Sequence, residues 1–392
     1  MLRIKNKFDL LITLLLVLCS GTVIFSQIFY REFLFLFLII ATFYVIRNKK
    51  INLFNIIILL GIFVFLLCNY LLSPAGDIFG YVALMVKFLT VFFILNFSDF
   101  DKLLKYYVYI IAVMCVVSIP FYLYGIVFSD SVRTILPSQD VWGHLLKVTP
   151  VYNYQDYLMQ RNNGMYWEPG AFQAFINVAI LVNFKIINTN KKKLILFIIF
   201  FITLVTTFST TGYLVFFLIL LAQLQSIQKY KLTKKSLITI GMLFLLIMVF
   251  LLIALKSGVI LDKFNPNSNT YASYVRRDYD LKVAIELMQK RPYVGWGFNN
   301  TDMYNGYNFS GSSNSLLTMA SQLGAFSIIF YFLFYAYKLK LIFKNKVETF
   351  IYFICLLILF SSENLIFQPI FIAPLFYSYR NLSFTHKRLL NC

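Results

Sequence analysis

The chain consists mainly of continuous apolar runs, each close to the length that crosses a lipid bilayer. The runs at 53–72 and 78–97 are typical, because neither alternates as a strand does and each approaches the ~20 residues of a membrane helix. Charged residues make up only 13% of the sequence, against about a quarter in soluble domains. Because lipid leaves each backbone amide to be paired internally, the sequence predicts an all-α integral membrane protein, folded as a single polytopic domain over 1–392.

Twelve membrane spans are predicted from these runs. The basic residues Arg3, Lys5 and Lys7 before the first run resemble those of a signal peptide, but no small-residue cleavage site follows, so this run is interpreted as an uncleaved span. The approximate spans are 9–28, 32–46, 53–72, 78–97, 104–128, 171–187, 194–208, 212–227, 236–255, 315–337, 348–360 and 364–379.

The formal net charge of +19 has two interpretations, a nucleic-acid partner or a membrane topology signal. When the spans alternate from a cytoplasmic N-terminus, the inner segments hold 23 of the 35 Lys and Arg residues but only four of the 16 acids. The outer segments are then close to neutral. The sequence therefore predicts that both termini are cytoplasmic, and it requires no nucleic-acid partner.

Two connections on the predicted outer side are long, at 129–170 and 256–314. Both are rich in Tyr, Trp, Asn and paired charges, which is not a disordered composition, and long loops in compact proteins usually carry function. The five cysteines and two histidines show neither a disulfide framework nor metal-ligand spacing. We therefore expect the functional chemistry in these two loops, without a metal or another cofactor.

The first loop ends in a polar segment with glycines, Arg161 to Gly170, directly before a span. Pro169 suits the first turn of the next helix, which places Glu168 at or beside the N-cap as an ionised carboxylate or general base. Alternatively, Glu168 only caps the helix or pairs with Arg161, which is itself a candidate for binding phosphate. Three further residues are candidates for substrate contacts, although aromatic residues also mark membrane interfaces: Asn162, Tyr166 and Trp167.

The second loop contains a predicted amphipathic helix from Arg276 to Lys290, with apolar residues at helical spacing. Its first turn carries Arg276 and Arg277, which either bind an anion or are neutralised by two nearby acids, Asp278 and Asp280. The apolar positions are Leu281, Ala284, Ile285 and Met288. Further candidates for substrate binding are Trp296, Asn299, Asn314 (which alternatively caps the next span) and the mid-span Lys87.

The order of these motifs resembles the O-antigen polymerase and ligase superfamily. Arg161-x-x-Gly164 is followed by Glu168-Pro169-Gly170 and a span, and Ser209-Thr210-Thr211-Gly212-Tyr213 falls at a short outer turn. Arg277 precedes Pro292-Tyr293-Val294-Gly295-Trp296-Gly297, and Asn314-Ser315-Leu316-Leu317 through Leu323-Gly324 opens a span. The resemblance covers roughly 160–330 by motif and the remainder only by its pattern of spans.

The resemblance implies a glycosyltransferase C-like membrane fold in the bacterial inner membrane, acting at the periplasmic face without metal or nucleotide sugar. The implied polymerase joins undecaprenyl-pyrophosphate-linked repeat units, with Glu168 acting on the acceptor hydroxyl and Arg161 and Arg277 stabilising the leaving pyrophosphate. Ligases commonly carry a histidine where this chain has Ser313, which favours a polymerase. A ligase, or a flippase for the same lipid-linked unit, is the alternative. The expected partners are the donor and acceptor glycans and membrane lipid; the sequence leaves open whether a chain-length regulator binds.

Overall fold

A computed structural model describes residues 2–47, 53–141, 144–155, 161–187, 189–228, 265–266, 271–307, 312–343 and 345–377. The predicted span at 236–255, residues 256–264 and 267–270 of the second loop, and the C-terminus after residue 377 lie outside these ranges. Five of the described helices are long and apolar enough to cross a membrane. The prediction of a helical, multi-pass membrane protein is thereby confirmed, whereas the number of twelve spans stays a prediction.

The first half of the chain forms five long helices. They are α1 (Leu2–Leu18), α2 (Tyr30–Arg47), α3 (Leu53–Leu72), α4 (Ile78–Phe97) and α5 (Phe100–Val127), with a short π-helix at Ile24–Ile28 between the first two. Their apolar side chains supply both a shared core and an outer surface of exposed Leu, Ile and Phe. Exposed apolar side chains on such helices are expected where lipid is the solvent.

The first predicted loop is folded rather than irregular. It contains a short helix, α6 (Ser129–Ile135), and an antiparallel sheet of β1 (Ser138–Val141), β2 (His144–Val148) and β3 (Asn153–Gln155) in the order β1-β2-β3. This small sheet is a departure from the predicted all-α fold. Tyr154 of β3 packs directly on Gly125 of α5, so the sheet lies against the end of the helix bundle.

Among its described residues, the second half adds five long helices, a helix in the second loop and two short helical turns. The first four long helices are α7 (Pro169–Ile186), α8 (Asn190–Thr206), α9 (Thr210–Gln228) and α11 (Ser315–Phe343), and the loop helix is α10 (Tyr271–Lys290). They are followed by α12 (Lys346–Ser362), then by α13 (Pro369–Ile372) and a 3-10 turn at Ala373–Phe376.

The predicted span at 364–379 is wrong as a continuous helix. Pro369 and Pro374 lack the N–H that a helix interior needs, so only two short turns form. The carbonyl groups that remain accept hydrogen bonds from side chains of neighbouring helices: Tyr331 donates to Ile366 O and Tyr335 to Phe371 O, both at 3.0 Å. A broken segment is tolerated within a membrane bundle when protein groups satisfy its backbone in this way.

Gly324 breaks the predicted span at 315–337, where its φ is +81°. The break frees backbone groups of α11, and the turn of the second loop pairs with them: Trp296 N donates to Ser321 O and Gly297 N to Gln322 O, both at 2.9 Å. A side chain at position 324 would overlap the carbonyl of Tyr293. The loop motif ending in Gly297 and the helix motif ending in Gly324 are therefore two halves of one backbone contact.

The connections predicted to lie outside the membrane contact one another at one end of the bundle. Val23 N donates to Met165 O at 3.0 Å, and Asn299 Nδ2 donates to Asp77 Oδ2 at 3.0 Å. The hydroxyl of Ser315 donates to the backbone oxygen of Glu363. This end of the bundle therefore gathers both long loops and the short turns between helices.

Candidate functional site

Arg161 of the first loop packs against the turn between α8 and α9. Its Nε donates to Thr207 O at 3.0 Å, and the next backbone N–H, that of Asn162, donates to Thr206 O at 2.9 Å. Burial lowers the pKa of Arg161, while the charges of Glu168 and Glu363 oppose this shift. An arginine remains protonated in proteins, so the loop presents a fixed cation that is largely removed from solvent.

Glu168 occupies the N-cap of α7, as predicted, with Pro169 in the first turn. Its side chain accepts no hydrogen bond from the first turn of the helix, and its carboxylate binds another donor instead. Trp167 Nε1 donates to Glu168 Oε1 at 3.0 Å. The aromatic residue beside Glu168 therefore holds the carboxylate in place, and the alternative that Glu168 serves only as a side-chain cap does not describe this geometry.

Glu363 is a second carboxyl group at the same place, and the sequence interpretation did not identify it. It ends α12 with only 2% of its surface exposed, and it is hydrogen-bonded to Glu168. Its Oε1 lies against Gly170, where any side chain would overlap it. Burial raises the pKa of Glu363 well above its usual range, and the neighbouring Glu168 raises that pKa further.

Arg277 supplies a second cation from the second loop. Its charge acts on both Glu363 and Arg161, although the residue itself is exposed. Of the two acids predicted to neutralise the arginine pair, Asp278 instead pairs with Lys282 at 2.6 Å. The buried Asp280 lies near Arg276 and Arg277, which lower its pKa against the larger effect of burial.

The prediction that the arginine pair lies in the first turn of its helix is wrong. In the described chain α10 already begins at Tyr271, so Arg276 and Arg277 lie in its second turn, away from the unpaired N–H groups. The predicted apolar face is also rotated, since Leu281 and Ile285 are more than 40% exposed. Of the predicted apolar positions Ala284 is buried, and the other buried residues on this side are Asp280, Val283 and Leu287.

Three helix N-termini point towards this group of charges. Helix α7 begins beside Glu168, α9 begins after the turn that binds Arg161, and α11 begins at Ser315, which is bonded to the backbone of Glu363. Helix N-termini carry partial positive charge and favour anions. Together with the two arginines, they make this end of the bundle suited to a ligand that carries phosphate and hydroxyl groups.

Residues 195–332 match the family model described as O-antigen ligase. This part of the chain is therefore similar to the O-antigen polymerase and ligase superfamily. Members of this superfamily are glycosyl-transfer enzymes of lipopolysaccharide biosynthesis. No curated protein and no solved structure matches the chain.

The match covers 138 of the 392 residues, from α8 to the middle of α11. It contains Arg277 and the paired motifs at Gly297 and Gly324. Arg161, Glu168 and Glu363 lie outside it, on segments that pack against its edge. The cluster of charged residues therefore combines Arg277 from the matched residues with Arg161, Glu168 and Glu363 from the parts of the chain on either side.

The remaining candidates in the first loop, Asn162, Tyr166 and Trp167, are buried and make contacts within the protein. Asn162 Nδ2 donates to Ser118 Oγ at 3.1 Å and to Thr206 Oγ1 at 2.9 Å. Tyr166 is fully buried with its ring against Phe172 and Phe175. The ring of Tyr166 is covered by these neighbours, and Trp167 is buried as well. The contacts of these residues therefore position the loop, and neither ring offers a free surface on which a sugar could stack.

Three candidates within the matched residues 195–332 also make structural contacts. Trp296 Nε1 donates to Leu287 O at 3.0 Å, and Asn299 binds Asp77 as described above. Asn314 Oδ1 accepts from the backbone of Leu316 and Leu317, so the alternative that it caps the next helix is observed. These residues hold the second loop and α11 at the charged end of the bundle.

Lys87 lies elsewhere in the bundle. Its ammonium group is 5.1 Å from the centre of the Tyr30 ring, and its charge interacts with Cys19. Within the described part of the chain, no contact found for Lys87 joins it to Arg161, Glu168 or Arg277. The same described part contains no group of three or more His, Cys, Asp or Glu that could hold a metal ion.

Proposed function

We propose that this chain is an O-antigen polymerase of the bacterial inner membrane. It joins undecaprenyl-pyrophosphate-linked repeat units on the periplasmic side, with both chain termini in the cytoplasm. The growing glycan leaves its lipid pyrophosphate and is transferred to a hydroxyl group of the acceptor unit. The observation that carries the proposal is the meeting of Arg161, Glu168 and Arg277, from two distant loops, at one end of an apolar bundle.

Arg161 and Arg277 are assigned to the pyrophosphate. Guanidinium groups bind phosphate oxygens through paired N–H donors, and donors fixed in place before the reaction stabilise charge as it develops. Arg161 suits this role because its burial strengthens the electrostatic effect, whereas Arg277 is exposed and can meet the substrate from the solvent side. No nucleotide or metal is needed, because the lipid pyrophosphate is itself the leaving group.

Glu168 is assigned as the general base. Its carboxylate is held by Trp167 beside two cations, at a helix N-terminus that favours the ionised form. In this role it removes the proton of the acceptor hydroxyl as the new glycosidic bond forms. The absence of histidine at Ser313 supports a carboxylate in this role and a polymerase rather than a ligase.

The ligase remains the second candidate, because the matched family model carries that description. The two activities differ in the acceptor, which is another lipid-linked unit for a polymerase and lipid A–core for a ligase. The lipopolysaccharide of a strain lacking this gene separates them. Core carrying a single repeat indicates a polymerase, bare core indicates a ligase, and repeat units held on the inner leaflet indicate a flippase.

The polymerase assignment also predicts the effect of three substitutions. Arg161→Ala, Arg277→Ala and Glu168→Gln should each lower polymer formation by ~10²–10³-fold or more, because each removes a transition-state contact. The measurement is the lipopolysaccharide ladder from the deletion strain carrying each variant, with membrane abundance checked by immunoblot. Lys282→Ala, an exposed change on the same helix as Arg277, is the matched control. Near-normal chain length in all three site variants would overturn the assignment.

A further inference from the structure

The carboxyl group of Glu363 is enclosed by three features of the site. One oxygen lies against the backbone of Gly170, the carboxyl group is hydrogen-bonded to Glu168, and Oε2 is buried without a hydrogen-bond partner among the described residues. The backbone of Glu363 is fixed by Ser315, whose hydroxyl donates to Glu363 O and accepts from Leu365 N at 2.7 Å. Glu168 is therefore the hydrogen-bonding neighbour of this side chain, and Arg161 and Arg277 act on it through their charges.

Two carboxyl groups in hydrogen-bond contact cannot both be ionised without strong repulsion, so one proton lies between them. The environment of each group indicates where that proton resides. Glu168 is partly exposed, accepts from Trp167 and faces Arg161, whereas Glu363 is enclosed. The charged form is therefore favoured on Glu168, and the protonated form on Glu363.

We propose that Glu363 is the positioning residue of the transfer reaction: it keeps a proton and donates it in a hydrogen bond to the Glu168 carboxylate. This contact holds the basic oxygen of Glu168 towards the acceptor and keeps the carboxylate from turning into the buried space beside Gly170. The inference rests on the proposed function, since it assigns a partner to the same general base.

The proton balance of the step is simple. The acceptor oxygen forms a bond to the anomeric carbon of the donor glycan, and the bond from that carbon to the pyrophosphate oxygen breaks with its electron pair on the leaving group. The hydroxyl proton passes to Glu168 and then to water as products leave. The proton on Glu363 stays in place throughout, so Glu363 changes the position and basicity of Glu168 without taking part in bond formation.

This arrangement predicts how activity depends on pH. The groups that face Glu363 are Glu168 on α7, Arg161 on the first loop and Arg277 on α10. Burial and Glu168 raise the pKa of Glu363, and the two arginines lower it by smaller amounts. As pH rises through this elevated pKa, Glu363 loses its proton, the pair becomes two repelling carboxylates, and activity should fall on the alkaline side.

The test compares substitutions at the two carboxyl groups in the purified full-length protein, using lipid-linked repeat units extracted from the deletion strain. Glu363→Ala should lower the rate by ~100-fold, because Glu168 keeps the Trp167 donor but loses the one from Glu363. Glu363→Gln should recover to within ~10-fold of the wild-type rate, because an amide also donates. Glu168→Gln should lose ~10²–10⁴-fold, the usual contribution of a general base.

The pH profile of Glu363→Gln distinguishes positioning from a structural role, because an amide has no proton to lose. Its alkaline fall in activity should be absent, while that of the wild-type protein remains. An unchanged alkaline fall in Glu363→Gln would overturn the proposal. So would the reverse order of variants, with Glu168→Gln active and Glu363→Gln inactive, since that would make Glu363 the base.

Infrared difference spectroscopy provides a readout that does not depend on activity. The resting wild-type protein at neutral pH should show the C=O band of a buried protonated carboxyl group, retained in Glu168→Gln and lost in Glu363→Gln. Absence of that band from the wild-type protein would overturn the proposal even if a variant folds poorly. If the wild-type protein shows the band but forms no polymer, the proposed function fails and the protonated carboxyl group stands.

Discussion

At Gly170 the first turn of α7 lies directly against the carboxyl group of Glu363. A methyl group there would overlap Oε1, so Gly170→Ala should displace Glu363 and lower polymer formation by ~100-fold or more. Helix propensity alone predicts the opposite, since Ala is better than Gly in a helix by ~1 kcal/mol. The measurement is the lipopolysaccharide ladder together with the amount of protein in the membrane.

Gly61→Ala is the matched control for this substitution. Gly61 also lies in a helix, α3, but its added methyl group would meet open space. We expect normal chain length from Gly61→Ala. If Gly170→Ala also gave a normal ladder, close contact between the α7 backbone and Glu363 would not be required for the reaction.

Individual site residues were predictable to different degrees. Arg161, Glu168 and Arg277 could be named because arginines and a carboxylate stand out in two loops of a largely apolar chain. Glu363 could have been suspected only as an acid in a short connection between two predicted spans. Its contact with Glu168 joins residues 195 positions apart, and no local pattern reports a contact over such a distance.

Among the helices and turns, the broken segment after α12 depends on donors from other helices. Lys338, which is 1% exposed, donates from Nζ to Tyr377 O at 2.7 Å and contacts Asn55 Oδ1 at 3.3 Å. Lys338→Met should lower the free energy of unfolding by ~1–3 kcal/mol, because two buried acceptors lose this donor. Thermal unfolding of the purified protein in detergent micelles measures the change.

Lys340→Met is the control for this substitution, because Lys340 lies on the same helix and is exposed. We expect it to change the unfolding temperature little. An equal shift for the two variants would mean that the lost charge, rather than the backbone contact with Tyr377, accounts for the effect.

The elements that the sequence misplaced share a physical cause. The apolar periodicity of α10 fits two neighbouring faces, and contact with α11 and Met303 selects the face with Val283 and Leu287. The break in α11 likewise depends on the loop turn that pairs with its freed backbone. Apolar periodicity reports only on the helix in which it occurs. The buried face of α10 and the break in α11 depend on contacts with a second element, which periodicity does not record.

For the whole molecule, the predicted orientation across the membrane can be tested with single cysteines. Cys68 is exposed and Cys392 lies outside the described residues, so both are first replaced by Ser. A membrane-impermeant maleimide should label Thr301→Cys in intact spheroplasts, and Lys191→Cys only after permeabilisation. Both introduced sites are exposed in the described chain. The opposite labelling pattern would place the charged site in the cytoplasm and contradict a periplasmic reaction.

Hydropathy and charge were sufficient to predict a helical membrane protein and the bounds of most described helices to within a few residues. These properties follow from the transfer free energy and charge of each segment on its own, so a linear sequence records them. The carboxyl pair, the face of α10, and the breaks in α11 and after α12 required the folded chain. Each depends on which groups from distant segments are available to fill a space or satisfy a backbone atom, and only packing brings those segments together.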